Sequence, residues 1–397
     1  MSTNEAPATQ RAQVLEAFTK PSTVTSPYTF KPSHPAPPAP NGHQLLIRVL
    51  AASYCHTDAV FASGAMQQDL PRIGSHEFAG VIHSFGNDAA SSTLGLKEGM
   101  LVGVPGRAFE CCGECLECKE NGGDPAGYGV WCTRAGNLGL SRDGGFQEWC
   151  LVDSRQVAPV PEGMKAIEVA PLMCAGVTIW SAIETAGVDM EDPENNRRRG
   201  LVVGIVGAGG GLGHLGVQFA RRLGCEVVAV DQTNAIEGLA QVVSSIKGAK
   251  VGGGIHVVDS VYETVEMTRK RAFKNGREDV PAGEVGCDAV IILPEAQAAF
   301  DFGMALLKNH GTCVVVSFPK EGWHFQPRDL VFRHIKMTGV LVGRNRQLKA
   351  MLKFAAENKV RATIKTFALE DLNELVGVYH QGNFGKLVVD MEKPPQP

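Results

Sequence analysis

Apolar runs alternate with helix-length segments through the middle of the chain. The run LVVGIV at 201–206 predicts a buried strand, a helical stretch at 212–223 follows it, and CEVVAV at 225–230 predicts the next strand. Further buried strands are predicted at 255–258, 289–293 and 312–317. Buried strands separated by helices are typical of a parallel sheet with right-handed crossovers. This part of the chain is therefore predicted to form a doubly wound α/β domain.

The pattern on either side is different. A β-rich domain up to about residue 177 is indicated by short apolar segments with glycine-rich connections, at 44–52, 74–85 and 98–104. Six prolines between residues 25 and 41 predict an extended surface segment. The hydrophilic run at 191–199 predicts a solvated linker loop. Towards the end, a helix is predicted near 345–357 and a last strand at 386–390.

Composition narrows the classes of function. The 397 residues suggest two or three domains, and 20% charged with 44% hydrophobic residues is ordinary for a folded globular chain. A net charge of −4 gives no support for binding to nucleic acid or to an anionic membrane. The first ten residues do not resemble a signal peptide, and no apolar run reaches the roughly 18 residues of a membrane span. Eleven cysteines in such a chain indicate reduced thiols, so we expect a cytoplasmic protein.

Four cysteines lie in one short stretch, as Cys112-x2-Cys115-x2-Cys118-x13-Cys132. Two C-x2-C steps place three thiolates on one tight loop, and the fourth completes a tetrahedron of the kind that holds structural zinc. The alternative is a flexible surface loop with four reduced cysteines, which would gain little from packing and would risk oxidation. Cys111 is a competing ligand. The zinc would substitute for a hydrophobic core in a lobe too small to have one.

A glycine-rich loop follows the predicted strand at 201–206 and opens a helix. Its candidate cofactor contacts are Gly207, Gly209, Gly210, Gly211, Leu212 and Gly213. Glycines let the backbone approach a pyrophosphate, and the helix N-terminus offers free N–H groups. Asp231 ends the next strand, where an acidic residue binds the adenosine ribose of NAD, and residues 232–238 contain no arginine or lysine for the phosphate of NADP. We therefore expect NAD as the cofactor; the alternative is a glycine-rich turn in a sugar or flavin enzyme.

Cys55, His76 and Cys174 are each ordinary on their own, because a buried cysteine or histidine is more often a core residue than a ligand. Their context makes them candidates, since Cys55 stands in the motif CHTD and His76 in GSHEFAG. Two cysteines and one histidine form a ligand set for catalytic zinc, which keeps one position for substrate. The sequence therefore predicts two zinc ions per chain with different tasks.

These motifs resemble those of the zinc-dependent medium-chain alcohol dehydrogenases, and most of all the short-form, tetrameric yeast-type branch. The resemblance covers about residues 42–391 and rests on CHTD at 55–58, SHEFAG at 75–80, the cysteine cluster, DGGFQ at 143–147, LMCAGVT at 172–178, the glycine loop and GKLVVD at 385–390. The fold it implies is a GroES-like catalytic domain interrupted by a Rossmann domain. The implied boundaries are 1–177 for the catalytic domain, with a zinc lobe at about 107–135, 178–320 for the NAD-binding domain, and 321–397 for the return to the catalytic domain.

The resemblance also implies roles around the predicted catalytic zinc. Cys55, His76 and Cys174 would hold the metal. Glu77 lies beside them and would ligate the metal when water or substrate leaves. Asp58 would fix the imidazole of His76, the usual support for a metal-bound histidine.

Further roles concern substrate and cofactor. Thr57 would hydrogen-bond the substrate hydroxyl and pass its proton outward. His56 and Thr178 would lie along the cofactor. The arginine that meets the cofactor phosphates would be Arg344 or Arg346, and the resemblance does not decide between them.

The chain departs from the family pattern in places that bear on function. The last gap of the cysteine cluster is longer than usual, which predicts an extra loop around residues 122–129. Val60 stands where many members have the histidine that ends the proton relay. Met66 and Arg107 fall near bulky tryptophans of the ethanol-using branch, which predicts a roomier and more polar substrate pocket.

The expected function is hydride transfer between a primary or secondary alcohol, or its aldehyde or ketone, and a nicotinamide. The substrate is expected to be larger or more polar than ethanol. A homotetramer or homodimer without nucleic-acid or membrane partners is expected. Two alternatives stay open: a polyol-dehydrogenase-like member of the same superfamily, and a non-catalytic zinc-binding scaffold of the same fold.

Overall fold

A computed structural model of the chain describes residues 7–19, 26–66, 69–89, 95–119, 129–246, 250–251, 254–273, 281–382 and 384–395. The chain divides into two compact units. The first unit contains residues 1–177, 344–357 and 361–397, and the second contains 178–343 and 358–360. The first unit is therefore discontinuous in sequence.

The strands are short and most are buried on at least one face. In chain order they are β1 (Thr9–Leu15), β2 (Tyr28–Pro35), β3 (Gln44–Tyr54), β4 (Arg72–Ile73), β5 (Glu77–Phe85), β6 (Leu101–Pro105), β7 (Trp149–Asp153), β8 (Ala158–Pro159), β9 (Val202–Val206), β10 (Glu226–Asp231), β11 (Lys250–Val251), β12 (Gly254–Asp259), β13 (Cys287–Ile292), β14 (Leu307–Val315), β15 (Lys336–Gly339), β16 (Ile364–Phe367) and β17 (Lys386–Asp390).

The helices fall mainly in the second half of the chain. They are α1 (His56–Ala62), α2 (Leu116–Lys119), α3 (Ala166–Val169), α4 (Ala175–Thr185), α5 (Pro193–Arg199), α6 (Gly213–Arg222), α7 (Thr233–Ser245), α8 (Val265–Ala272), α9 (Gln297–Leu306), α10 (Pro327–Phe332), α11 (Asn345–Glu357) and α12 (Leu372–His380). Short 3₁₀ turns cover Ala170–Met173 and Ala282–Glu284.

The first unit is built on β3, which pairs with β5, β7 and β17. Its main sheet has the order β16-β17-β3-β5-β6-β8, and a smaller antiparallel sheet has the order β2-β1-β4. Phe61, Phe78, Phe146 and Phe367 are almost fully buried in one core between these elements. The proline-rich segment is extended as predicted, and it forms β2 against β1.

The second unit contains the predicted parallel sheet, with the order β11-β12-β10-β9-β13-β14-β15 and every pair parallel. All five residues of β9 are buried, as expected for a central strand covered on both faces. The strand order reverses direction between β9 and β13. In such sheets a ligand binds outside the carboxyl ends of the strands at this switch point.

Two boundaries differ from the sequence expectation. The second unit continues to Gly343, beyond the expected return at 321, because β15 adds a further parallel strand to the sheet. The segment 191–199 contains α5 rather than only a loop. Asp192 caps α5 by accepting a hydrogen bond from the backbone of Asn195, and Gly200, with a φ of 59°, ends it.

Among the described residues, no single helix is long and apolar enough to cross a membrane. The segments 166–173 and 175–185 meet that length and hydropathy test only as a pair, with a bend of 49° between them.

Candidate functional site

Three side chains with donor atoms that suit zinc meet in the first unit. Cys55 precedes α1, His76 precedes β5, and Cys174 follows the 3₁₀ turn Ala170–Met173. Their ligand atoms all lie within 4.8 Å of one another, and the two sulfurs are 4.0 Å apart. Zn–S bonds of about 2.3 Å at a tetrahedral angle separate two sulfurs by about 3.8 Å. The three side chains therefore fit one zinc ion and leave a tetrahedral position for an oxygen ligand.

The carboxylate of Asp58 holds the two backbone segments that carry Cys55 and His76. It is fully buried and accepts hydrogen bonds from the backbone N–H of Cys55 and of Ser75, each at 2.9 Å. Nδ1 of His76 lies 3.7 Å from Asp58, which is too long for a hydrogen bond. Asp58 thus positions the ligand segments through their backbones, and its carboxylate lies at ion-pair distance from the imidazole, so the support of His76 that the resemblance implied stays a prediction.

The electrostatics of this cluster favour a cation. Burial alone would lower the pKa of His76, but the charges of Asp58 and Cys55 raise it well above its usual value. The hydrogen bond with Cys174 lowers the pKa of Cys55 well below that of a free thiol, and the same bond raises the pKa of Cys174. The Cys55 thiolate is thus stabilised as a hydrogen-bond acceptor from Cys174, and its charge in turn raises the pKa of His76. A divalent metal would neutralise this buried negative charge.

Glu77 lies next to this cluster but is bound by protein groups of its own. The three ligand atoms that lie together are those of Cys55, His76 and Cys174, without Glu77. The Glu77 carboxylate is fully buried; its Oε1 accepts a hydrogen bond from Nζ of Lys386, and its Oε2 accepts one from the backbone N–H of Ala175 at 3.4 Å. Burial raises the pKa of Glu77 to about 7, although Lys386 opposes the shift.

Lys386 is a site residue that the sequence analysis missed. It is 5% exposed, and its Nζ also donates to the carbonyl of Tyr54 at 2.9 Å. Burial would lower its pKa, but the Glu77 carboxylate outweighs burial and raises it. The sequence gives a weak signal for it, because Lys386 opens the apolar strand KLVVD, but lysines at strand ends are ordinarily exposed.

The cysteines Cys112, Cys115, Cys118 and Cys132 form a second cluster, with all four sulfurs within 4.8 Å of one another. The sulfur of Cys112 is 3.9 Å from that of Cys118 and 3.6 Å from that of Cys132. The backbone N–H groups of Glu114 and Cys115 lower the pKa of Cys112 to about 6. The sulfur spacing is that of a closed tetrahedral zinc site.

Cys111 stands outside this second cluster. Its thiol donates to the carbonyl of Ala108 at 3.2 Å, and burial raises its pKa. The structure therefore places Cys112, and not Cys111, among the four clustered cysteines. The expected extra loop at 122–129 lies outside the described residues, apart from Gly129.

The structure separates the two arginines considered for the cofactor phosphates. Nη2 of Arg344 lies 3.5 Å from the carboxylate of Glu117, and its guanidinium stacks 5.3 Å from the ring centre of Trp131. Both partners belong to the cysteine lobe. Arg346, at the same end of α11, is exposed. Arg344 therefore contacts the lobe, and Arg346 is the more exposed of the two candidates.

The predicted glycine loop lies at the switch point of the parallel sheet. Gly207 follows β9 with a φ of 83°, which favours glycine, and its N–H donates to the carbonyl of Val230 at 2.9 Å. A side chain on Gly213 would come within 2.1 Å of the Gly207 carbonyl oxygen. Leu212 is the N-cap of α6, and no side chain caps the helix. The His214 N–H donates to the Gly210 carbonyl at 3.1 Å, whereas no described residue accepts a hydrogen bond from the N–H groups of Gly213 and Leu215, which are available to an anion. The turn between β9 and α6 contains Gly207, Ala208, Gly209, Gly210, Gly211 and Leu212.

Asp231 ends β10 beside this loop. Its Oδ2 accepts a hydrogen bond from the Gly209 N–H at 2.7 Å, and its Oδ1 accepts one from the Gln232 N–H at 2.8 Å. Burial raises the pKa of Asp231, and these two N–H groups partly offset the shift.

Thr178, which is also in the second unit, is buried within α4, where 6% of the residue is exposed.

The short helix α1 carries Thr57, which the resemblance assigns to proton transfer, and His56, which it assigns to the cofactor. Thr57 Oγ1 is 3.8 Å from the sulfur of Cys55, which places the hydroxyl beside the metal cluster. Nδ1 of His56 is 2.8 Å from the hydroxyl of Tyr379. Val60, one turn later, has no titratable atom. The contact with Tyr379 was not predicted, because the residues around His56 give no signal for a partner 323 positions away.

Arg107 does not provide the polar pocket wall that the sequence suggested. It is 6% exposed, its Nη1 donates to Oε1 of Gln156 at 2.5 Å, and its Nη2 donates to Oδ1 of Asn345 at 3.1 Å. Its guanidinium thus links the segment after β7, which contains Gln156, to the start of α11, which contains Asn345. Met66 is half-buried and packs against the core of the same unit.

Comparisons with known proteins match both units of the chain to dehydrogenase domains. The alcohol dehydrogenase GroES-like domain family matches residues 41–162, and the zinc-binding dehydrogenase family matches residues 211–357. An alcohol dehydrogenase of Geobacillus stearothermophilus is 31% identical over 381 residues, which cover 96% of this chain and 98% of that protein. Alcohol dehydrogenase 1 of Emericella nidulans is 29% identical and covers 97% of this chain and 99% of its own length.

Solved structures show the same fold. The crystal structure of the alcohol dehydrogenase from Aeropyrum pernix has a TM-score of 0.76 and 25% identity, over 96% of this chain and 99% of that chain. The acetophenone reductase of Geotrichum candidum, solved with NAD, has a TM-score of 0.72 and 22% identity, over 97% of this chain and 98% of that chain, and it supports the fold alone.

These matches define a two-domain, zinc-binding dehydrogenase and confirm the predicted combination of a GroES-like domain with a Rossmann domain. The chain belongs to the zinc-type medium-chain alcohol dehydrogenase family.

Proposed function

We propose that this alcohol dehydrogenase carries two zinc ions per chain, prefers NAD, and transfers hydride between a primary or secondary alcohol and the nicotinamide. The observation that carries the proposal is the meeting of the Cys55, His76 and Cys174 ligand atoms within 4.8 Å. The second cluster, of Cys112, Cys115, Cys118 and Cys132, would hold the structural zinc.

The roles of the protein groups follow from their contacts. A zinc ion in the first cluster would lower the pKa of a bound alcohol, as it lowers that of water from about 16 to about 7. The hydroxyl of Thr57 would take up the released proton, because it lies beside the cluster. Val60 cannot accept that proton, so it would leave through solvent or a ribose hydroxyl. Asp58 keeps the ligand segments in place through two backbone hydrogen bonds.

The second unit would bind NAD. The pyrophosphate would meet the glycine loop and the N-terminus of α6, and Asp231 would accept hydrogen bonds from the adenosine ribose. His56 and Thr178 would lie along the cofactor, and Arg346 would meet its phosphates.

The substrate would be larger than ethanol, because the resemblance places Met66 near the bulky tryptophans that close the pocket in the ethanol-using branch. The added polarity expected from Arg107 is not part of the proposal, since its guanidinium is bound by Gln156 and Asn345.

We also propose that the protein forms a homodimer or homotetramer. Large apolar side chains of the second unit are exposed, among them Phe318, Val331 and Phe332 at 62%, 72% and 81%.

The deciding experiment is a screen of primary, aromatic and functionalised alcohols and aldehydes, and of polyols, with NAD and NADP. Cys174→Ser should remove activity and one zinc. The matched control is Cys225→Ser, which changes a buried cysteine outside both clusters. A wild-type chain that is inactive with every substrate while holding zinc would identify a scaffold. A preference for polyols would identify the polyol-dehydrogenase alternative. Light scattering would determine the number of subunits.

A further inference from the structure

Two carboxylates end neighbouring strands of the parallel sheet. Asp231 at the end of β10 is the register partner of Asp259 at the end of β12. Oδ2 of Asp259 accepts a hydrogen bond from the hydroxyl of Thr233 at 2.7 Å, and Oδ1 accepts one from the backbone N–H of Val261 at 3.0 Å. Among the described residues, no ion pair joins either carboxylate to a lysine or arginine. Within that part of the chain, backbone N–H groups bind both acids, but no cationic side chain is paired with either negative charge.

The adjacent helix would, without these acids, favour an anion. α7 begins at Thr233, its N-cap is Gln232, and no side-chain hydrogen bond caps it. The Ala235 N–H donates to the Gln232 carbonyl at 2.9 Å, and no described residue accepts a hydrogen bond from the N–H groups of Thr233 and Asn234. These two N–H groups can bind a negatively charged group, and the helix dipole adds to the attraction. In a sheet of this type, the 2′ position of the adenosine ribose lies beyond the second strand, at the start of this helix. A 2′-phosphate would meet a favourable helix end there.

We infer that Asp259 is a second specificity-determining residue, which acts together with Asp231 to exclude a 2′-phosphorylated nicotinamide cofactor. The inference rests on the proposed NAD preference and extends it. A phosphate at the start of α7 would face two carboxylates from adjacent, paired strand ends, and like charges brought together oppose binding. Neutralising Asp231 alone would leave Asp259 in place, so the exclusion would persist.

Asp259 also acts through Thr233. A threonine hydroxyl has a single proton to donate, and here it donates to Asp259. The same hydroxyl at the start of α7 would otherwise serve as a phosphate donor. Asp259 thus removes a hydrogen-bond donor from the 2′ site as well as adding charge. This explains how one carboxylate can weaken phosphate binding in two ways.

The test compares Asp231→Asn, Asp259→Asn and the double variant in the full-length zinc-loaded protein. We expect each single variant to gain less than about tenfold in kcat/KM for NADP and the double variant to gain at least about 100-fold, because one remaining carboxylate still repels the phosphate. A second double variant, Asp231→Asn with Asp259→Ala, leaves the Thr233 hydroxyl without its side-chain acceptor. Adding Thr233→Val to that variant should cancel about tenfold of its gain, since the freed hydroxyl is a donor to a charged group. The matched control is Glu237→Gln, which neutralises an exposed carboxylate within α7 and should gain nothing.

Dissociation constants for NADP, measured by calorimetry on the same variants, give an equilibrium reading that does not depend on turnover. Tightening of NADP binding in the double variant, in parallel with kcat/KM, supports the inference. A double variant that binds NADP no better than Asp231→Asn overturns it. A wild-type chain that uses NADP as well as NAD overturns the proposed cofactor preference instead, so the two failures are distinguishable.

Discussion

Lys386 reaches Glu77 across a strand that lies between them. Glu77 begins β5 and Lys386 begins β17, and β3 separates these strands in the sheet. The carbonyl of Tyr54, at the end of β3, accepts a second hydrogen bond from the same ammonium. A buried cation thus ties three strands together beside the proposed catalytic zinc.

Replacing Lys386 by methionine should lower the free energy of unfolding by about 3 kcal/mol, because it leaves the Glu77 charge buried without its partner. The double variant with Glu77→Gln should recover part of the loss, since neither position is then charged. Denaturant titration measures both effects, with the exposed Lys353→Met as the control. A Lys386→Met variant as stable as the wild type would show that Glu77 is not charged in the folded protein.

The two cysteine clusters should respond differently to substitution. Cys115→Ser should lose one zinc and much of the stability of the lobe, because structural zinc contributes on the order of 10 kcal/mol or more. Cys174→Ser should lose the other zinc and activity while remaining folded. Elemental analysis and thermal unfolding distinguish the two outcomes. Full activity with one zinc per chain or fewer would contradict the assignment.

The zinc affinity of the cysteine lobe should change its pH dependence near the pKa of Cys112. Its pKa is lowered from 9.0 to about 6, so its thiolate is present above pH 6 and is lost as the pH falls through that value. Zinc and protons compete for this sulfur, so zinc binding should release an additional proton below pH 6. Competition with a chelator between pH 5 and pH 8 measures the effect. A zinc affinity with the same pH slope above and below pH 6 would show that another thiol controls release.

Arg107→Ala should destabilise the protein by about 2 kcal/mol, because Gln156 and Asn345 lose a buried charged donor. Its effect on kcat/KM should be the same for small aliphatic and for carboxylate-bearing alcohols. Combined with Asn345→Ala, the loss should be less than additive. A loss of kcat/KM that is selective for the carboxylate-bearing substrate would show that Arg107 lines the substrate pocket.

The features that the sequence predicted well are those with local signals. The apolar run of β9, the glycines after it and the C-x2-C steps each depend on neighbouring residues, and the structure contains all three. The contacts that were missed join distant segments. Nothing near Lys386 indicates that Glu77 lies opposite it, and the arginine at position 107 could not be assigned to Gln156 and Asn345 before the strands were placed.

The discontinuous first unit has a consequence for the order of events during synthesis. β17 is synthesised after β3 and after the whole second unit, yet it pairs with β3 and supplies Lys386 to Glu77. The continuous stretch 178–343, with its parallel sheet, is complete earlier and can fold as a unit. A nascent chain that stops before residue 386 would therefore have the glycine loop of the second unit but a proposed zinc site whose neighbouring carboxylate, Glu77, lacks its counter-ion.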